Sequence, residues 1–266
     1  MPGFINNGIW YGSIVLLVIA AVRLLQLRAA GRYPLLGLYL AFSIAREGLL
    51  VFLWHSQARW LGFRGHSLVY ITTEPVLWGL YFLVVLELFS RMLEDYHGIR
   101  RFGRMVLFSA LAGAALAYCA LIFMGQQAGY DRYPALSELA LLERSVFLCL
   151  SALLLALLGF VVHFRVSIPH NVWVLCASLG GYFLLSAALL TLRRHFGEVF
   201  AALRNLSNGV FFFVALLGTV LFLSKEGESG KSPIGALWGR RDLRREEALA
   251  LQLRSFNQVL AKVLRQ

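Results

Sequence analysis

The sequence predicts an all-α, polytopic membrane protein in which seven transmembrane helices form a bundle and an amphipathic helix follows near the C-terminus. Of the 266 residues, 59% are hydrophobic and only 15% are charged, and the mean hydropathy is +0.70. Seven apolar stretches, each about long enough to cross a bilayer, occupy the chain as far as Ser224. Backbone amides in hydrocarbon must find partners within their own segment, so runs of this kind form helices.

Continuous apolarity with few charges defines the bounds of the predicted spans. The spans are Gly8–Gln26, Pro34–Trp54, Ser67–Ser90, Met105–Met124, Leu139–Phe164, Val172–Leu192 and Leu206–Ser224. Basic residues follow the first span and none precedes it, which is typical of a retained anchor and not of a cleaved signal peptide. We therefore expect a bundle over residues 1–224, a linker over 225–241 and a cytoplasmic amphipathic helix over 242–266.

The distribution of Lys and Arg near the span ends predicts the orientation of the bundle. Sixteen of these residues fall on one face, which includes the C-terminal tail, and seven fall on the other. Because basic residues accumulate on the cytoplasmic side, the N-terminus is expected outside and the C-terminus in the cytoplasm. The same asymmetry accounts for the formal net charge of +11, so we expect no nucleic-acid partner.

A few ionisable residues lie well inside the spans, where a charge is costly unless it meets a partner or a water-filled cavity. Arg46 lies roughly 12 Å below the outer end of the second span, and Glu74 lies roughly 10 Å below that of the third. Consecutive spans joined by a short loop are usually antiparallel neighbours. The matched depths therefore predict an ion pair between Arg46 and Glu74.

Other polar residues fall at a similar depth. Glu47 lies about 100° around the helix from Arg46 and needs another donor. Together with Glu143, several hydroxyl and amide side chains of the outer half are expected to line one polar chamber. We identify Arg46, Glu47, Glu74, Thr73 and Asn208 as its candidate ligand-binding residues. Such a cluster has two interpretations: a polar lock that fixes helix register, or a ligand site that opens outward.

Two further features concern the inner face. Glu87 precedes Arg91 by four residues, so an interfacial ion pair across one helical turn is expected. In the tail, apolar residues recur at spacings of four and three, which indicates an amphipathic helix: Leu249, Leu253, Phe256, Leu260 and Val263. Docking of this stripe on the membrane surface and pairing with another protein, including a second copy, both fit the pattern.

Signatures of catalysis, metal binding and cofactor binding are missing from the sequence. Cys119, Cys149 and Cys176 lie in three different spans, without the close spacing of a metal site. The seventh span contains no Lys that could form a Schiff base with retinal. Neither a pair of Ser and His at one depth nor a His-Glu-x-x-His motif is present. We therefore expect no enzyme activity, no metal and no cofactor.

Residues 74–104 include Glu74, Pro75, Leu86, Glu87, Leu88, Phe89, Tyr96, Gly98, Ile99, Arg100, Phe102, Gly103 and Arg104. This stretch resembles a group of uncharacterised bacterial seven-helix membrane proteins. The resemblance implies a multi-pass protein of the bacterial inner membrane, but it implies no activity. An outer polar site and a cytoplasmic helical tail favour a sensor or receptor-like protein. The alternative is a non-catalytic structural or accessory subunit of a larger membrane complex.

Overall fold

The structure is a computed structural model, and it describes most of the chain. The described residues are 2–27, 31–55, 62–94, 96–101, 105, 108–109, 134–164, 168–196, 199–225, 227, 251–255, 257–259 and 262–263. Within these ranges the chain forms helices and no β-strand, so the predicted all-α class is confirmed.

Six long helices are defined. They are α1 (Pro2–Gln26), α2 (Pro34–His55), α3 (Gly62–Met92), α4 (Pro134–Phe164), α5 (His170–Phe196) and α6 (Val199–Phe222).

Five of these helices contain segments that are long and apolar enough to cross a membrane: Gly8–Gln26, Pro34–Leu53, Leu68–Met92, Leu142–His163 and His170–Leu192. The apolar part of α6, Ser207–Phe222, is shorter. The predicted fourth span, Met105–Met124, falls almost entirely outside the described residues.

The six helices form a closed ring. Each helix contacts the next along the chain, α6 returns to contact α1, and α3 also contacts α5 across the interior. At Gly209 on α6, an added Cβ would lie only 3.1 Å from Ile9 Cγ2, so glycine permits the close approach of α1. The ring leaves an interior into which every helix contributes side chains.

The outer surface of the ring is apolar. Along α1, for example, Val15, Ile19 and Leu25 are exposed while Leu17 and Leu24 are buried. Exposed apolar surface on this scale is unfavourable in water, whereas a bilayer covers it at no cost. The same helices therefore have an apolar core and an apolar exterior, as expected for membrane-spanning segments.

At the end of the bundle where α2 begins, Glu87 of α3 caps that helix. Its carboxylate accepts hydrogen bonds from the backbone amides of Leu35, at 3.2 Å, and Leu36, at 3.0 Å. These amides belong to the first turn, which has no partners within the helix. Arg91 does not pair with Glu87 as expected: its guanidinium lies 3.6 Å from Glu94 and donates to the Arg32 carbonyl at 2.7 Å.

At the same end of the bundle, side chains of α1 and α5 bind backbone groups at the C-terminal end of α6. Arg23 of α1 donates from Nε and Nη2 to the Leu223 carbonyl, at 3.2 and 2.9 Å. The Asn171 side chain of α5 donates to the Ser224 carbonyl at 2.7 Å and accepts from the Ser224 amide at 3.0 Å. Backbone groups that the helix end leaves unpaired are thus satisfied by two neighbouring helices.

The C-terminal tail contacts the bundle at this end too. Residues 251–255, 257–259 and 262–263 are helical. Asn257 Oδ1 accepts from the amides of Gly98 and Ile99, at 2.7 and 3.1 Å, and so caps the short helix that begins at His97. Leu253 is only 1% exposed and belongs to the core of its own chain, whereas Val263 is 59% exposed. The other three stripe residues, Leu249, Phe256 and Leu260, lie outside the described residues.

Candidate ligand-binding cavity

A cavity of about 470 Å³ lies inside the ring, in the half of the bundle where α1 begins and α2 ends. All six helices line it. Its volume falls within the range typical of small-molecule sites. Four of the five residues singled out in the sequence are in its wall: Arg46, Glu47, Glu74 and Asn208.

Arg46 is the centre of the polar wall, and each nitrogen of its guanidinium has its own partner. Nε donates to Thr73 Oγ1 at 2.9 Å, Nη1 donates to Glu47 Oε1 at 3.0 Å, and Nη2 donates to Glu74 Oε2. The ion pair with Glu74 that the matched depths predict is therefore present. The side chains of Arg46 and Glu74 are 9% and 11% exposed, so each charge depends on its partners for stabilisation.

Thr73 accepts a hydrogen bond from the Arg46 guanidinium but does not line the cavity. Its hydroxyl donates to the Val69 carbonyl at 2.6 Å, which leaves an oxygen lone pair for Arg46 Nε. Thr72, one residue earlier, is exposed and bonds to the Leu68 carbonyl at 2.8 Å. Because successive helical residues are about 100° apart, only one of the two threonines can contact Arg46.

The second oxygen of Glu47 is bound by Trp10 of α1, which is not among the candidate site residues identified in the sequence. Trp10 Nε1 donates to Glu47 Oε2 at 2.7 Å, which joins α1 to α2 across the cavity wall. Trp10 is at the start of a predicted span, where Trp usually anchors a helix at the membrane interface. No sequence signal orients α1 toward Glu47, because that orientation depends on how the two helices pack.

Asn208 faces α5 as well as the cavity. Its Oδ1 accepts a hydrogen bond from Ser186 Oγ at 2.7 Å, and Ser186 is buried. The amide of Asn208 thus belongs both to the packing of α5 against α6 and to the wall of the cavity.

Aromatic rings form the deep side of the cavity. Tyr39 and Tyr81 have ring centroids 5.0 Å apart, and the Tyr39 hydroxyl donates to that of Tyr81 at 3.4 Å. Tyr182 lies 6.2 Å from Tyr81 and 5.4 Å from Phe212, so rings of four helices form a continuous surface. These tilted arrangements are favourable for aromatic pairs.

Glu143 and Ser43 are two further polar residues of the wall. Glu143 of α4 is buried and lines the cavity, as the sequence analysis expected. Ser43 is also buried in the wall, and its Oγ has no hydrogen-bond partner among the described residues. The described lining therefore contains three carboxylates, one guanidinium and one hydroxyl without a partner.

No group of three or more His, Cys, Asp and Glu side chains in the described part of the chain has an arrangement that could hold a metal ion. Comparison of the chain with protein-family models, with curated proteins and with solved structures gives no match. The features that bear on the class of protein are therefore the helical bundle and its cavity.

Proposed function

We propose that this chain is a receptor-like membrane protein that binds a small molecule in the cavity around Arg46, Glu47 and Glu74. The observation that carries the proposal is the cavity itself: about 470 Å³ of space beside buried charges, in the interior of an apolar bundle. A polar lock would need only contacts between side chains, and it would be stabilised further by dense packing around them. An open cavity beside these charged side chains is instead typical of a binding site.

The proposed topology is a seven-span bundle of the bacterial inner membrane with its N-terminus outside. It is supported by five helices that are long and apolar enough to cross a membrane and by the excess of Lys and Arg on one face. In this orientation the cavity belongs to the external half, and the capped helix ends and the tail belong to the cytoplasmic half.

The contacts between α2 and α3 suggest how binding would affect the cytoplasmic half. These helices are joined near the cavity by Arg46 and Glu74, and at the other end by Glu87 and the Leu36 amide. Beyond the end of α3, the amide of Gly98 is bound by Asn257 of the tail. A ligand that shifts α3 against its neighbours would therefore change the position of the tail through direct contacts.

The test measures whether a reagent outside the cell can reach the cavity. We would place a cysteine at Asn208, in a chain whose own cysteines are replaced by alanine, and treat intact cells with a charged, membrane-impermeant maleimide. We expect labelling at this position. A matched cysteine at Leu154, which is 0% exposed, should stay unlabelled. Absence of labelling at Asn208 in both intact and permeabilised cells would refute the proposed site, and labelling only from the cytoplasmic side would refute the orientation.

An accessory subunit of a larger complex is the second candidate function, and one surface favours it. Leu251, Val259 and Val263 of the tail are exposed by 65%, 59% and 59%, although Leu253 of the same tail packs into the core of the bundle. This apolar face is available to a protein partner, to a second copy or to the membrane surface. Replacing the three residues with Ser should abolish co-purification of a partner if the chain is a subunit, and should leave labelling at Asn208 unchanged.

A further inference from the structure

We propose that a second pocket, at the opposite end of the bundle from the cavity, binds the headgroup of an anionic phospholipid of the surrounding membrane. This inner pocket has a volume of about 450 Å³ and lies where α2 begins and α3 ends. Its lining includes the guanidiniums of Arg91 and Arg100 and the apolar side chains of Leu83, Leu86 and Phe108. A lipid offers groups that match both parts of this lining, a phosphate and acyl chains.

Arg100 has a guanidinium without a partner in the described part of the chain. It belongs to the short helix of residues 97–101, which follows α3, and its side chain is half-buried. The backbone amide of Arg100 donates to the Tyr96 carbonyl at 2.9 Å, but its guanidinium makes no hydrogen bond or ion pair with a described residue. A charge that is partly removed from water is stabilised by an opposite charge, so the inner pocket favours an anion beside Arg100.

Arg91 is held in place by its neighbours and keeps donors for a ligand. Its Nη2 donates to the Arg32 carbonyl at 2.7 Å, and its guanidinium carbon lies 6.0 Å from the ring centroid of Tyr33. Its Nη1 lies 3.6 Å from Glu94 Oε2, which is longer than a hydrogen bond. Because a guanidinium has five N–H donors, Arg91 can bind phosphate oxygens in addition to these contacts.

Two carboxylates also line the inner pocket, and neither is paired with Arg100. Both oxygens of Glu87 accept backbone amides in the first turn of α2, at 3.2 and 3.0 Å, so its charge lies at the positive end of that helix. The side chain of Glu94 is 63% exposed, and water screens its charge. A headgroup with an ammonium would place a further cation beside the guanidiniums of Arg91, Arg100 and Arg32, so a headgroup of net negative charge is favoured.

The depth of the apolar lining favours a lipid over a soluble phosphate ester. The candidate span of α3 ends at Met92, so Arg91 lies at the level of the membrane phosphates. Leu83 lies roughly 12 Å deeper along α3, at the level of the acyl chains. Phe108 is 54% exposed and packs edge-on against Phe82, with ring centroids 5.8 Å apart. Acyl chains would cover these apolar side chains, and a soluble ester has none.

The test compares three probes by native mass spectrometry of the full chain released from detergent micelles. The probes are phosphatidylglycerol, phosphatidylcholine with the same acyl chains, and glycerophosphoglycerol, which is the first headgroup without acyl chains. We expect phosphatidylglycerol to bind at least about fivefold more tightly than phosphatidylcholine, and glycerophosphoglycerol not to displace it. Equal binding of the two lipids would overturn the inference. Displacement by glycerophosphoglycerol at equal concentration would show a site for soluble phosphate esters and would overturn it too.

A pair of neighbouring arginines separates a defined site from general attraction to a basic surface. Arg100→Gln should lower the preference for phosphatidylglycerol about fivefold, because it removes the guanidinium that lacks a partner. Arg101→Gln is the matched control: Arg101 belongs to the same short helix, is exposed and does not line the inner pocket. It should retain the full preference, and equal losses in both variants would refute the site.

A second variant and an independent readout complete the test. If Arg100→Gln does not fold, Leu83→Trp, which fills the apolar part of the inner pocket, should lower the binding of phosphatidylglycerol, and unchanged binding would refute the site. Labelling of a cysteine at Asn208 reports on the cavity at the other end of the bundle and should be the same in all of these variants. Loss of the lipid preference therefore leaves the proposed function standing, and failure of the labelling leaves the lipid site standing.

Discussion

Removal of Arg46 should destabilise the protein strongly, because Glu47 and Glu74 in the wall of the cavity would both lose their ion pair with its guanidinium. Arg46 is 9% exposed and binds Glu47, Glu74 and Thr73. Breaking a buried ion pair by removing one partner typically costs about 3 to 5 kcal/mol of unfolding free energy. We expect Arg46→Ala to reach this range, since Glu47 and Glu74 both lose their counterion.

A second substitution should restore part of the loss. In Arg46→Ala combined with Glu74→Gln, one stranded charge is neutralised, and we expect the double variant to be about 1 to 2 kcal/mol more stable than Arg46→Ala alone. The measurement is reversible unfolding in mixed micelles titrated with a denaturing detergent, followed by far-UV circular dichroism. Single and double variants have to be compared in the same micelles, because the unfolded state depends on them.

The exposed ion pair between Arg91 and Glu94 provides the control for this experiment. Arg91 also pairs with a carboxylate, but its side chain is 35% exposed and that of its partner Glu94 is 63% exposed. Glu94→Gln, which removes this exposed ion pair and keeps the hydrogen bond from Arg91 to the Arg32 carbonyl, should therefore cost no more than about 1 kcal/mol. If the losses from Arg46→Ala and Glu74→Gln simply add in the double variant, the two residues are uncoupled and the ion-pair reasoning is wrong.

Three further variants test other contacts. Glu87→Ala should lower stability by about 1 to 2 kcal/mol and expose the Leu36 amide to hydrogen exchange, whereas Glu94→Ala should do neither. Asn257→Ala should cost about 1 kcal/mol and speed exchange at Gly98; unchanged protection there would show that the tail does not cap this turn. Ser43→Ala should stabilise the protein in thermal unfolding, because Ser43 Oγ is buried without a hydrogen-bond partner among the described residues, and a loss of stability would show that its hydroxyl has a partner.

Arg46 and Glu74 show how much of the candidate site follows from the sequence. Their depths come from counting residues at a fixed rise per residue, and the cost of an isolated charge in hydrocarbon requires a partner at the same depth. These two rules are enough to predict the pair. Thr73 and Thr72 show the limit of the same reasoning, since both have suitable depth and only the first contacts Arg46.

The hydrogen-bond partners that lie on different helices could not be predicted from the sequence. Trp10 binds Glu47, Glu87 binds amides of α2, and Asn257 binds amides after α3. The last contact joins residues 159 positions apart. Helices that are apolar on every face, as α1 is, carry little periodic signal to indicate which side faces a neighbour. The spacing of Glu87 and Arg91 predicts a pair because the two residues lie one turn apart on the same helix, and local spacing gives no information about amides on another helix.

The sequence by itself therefore determined the all-α class, the position of five apolar segments and the matched depths of Arg46 and Glu74 along their helices, because hydrophobic length and helical rise are local properties. Only the tertiary structure decided which helices meet, which face of each turns inward and where the interior stays open. Those features depend on the rotation of each helix about its own axis. That rotation is set jointly by side chains of several helices, and no single segment encodes it.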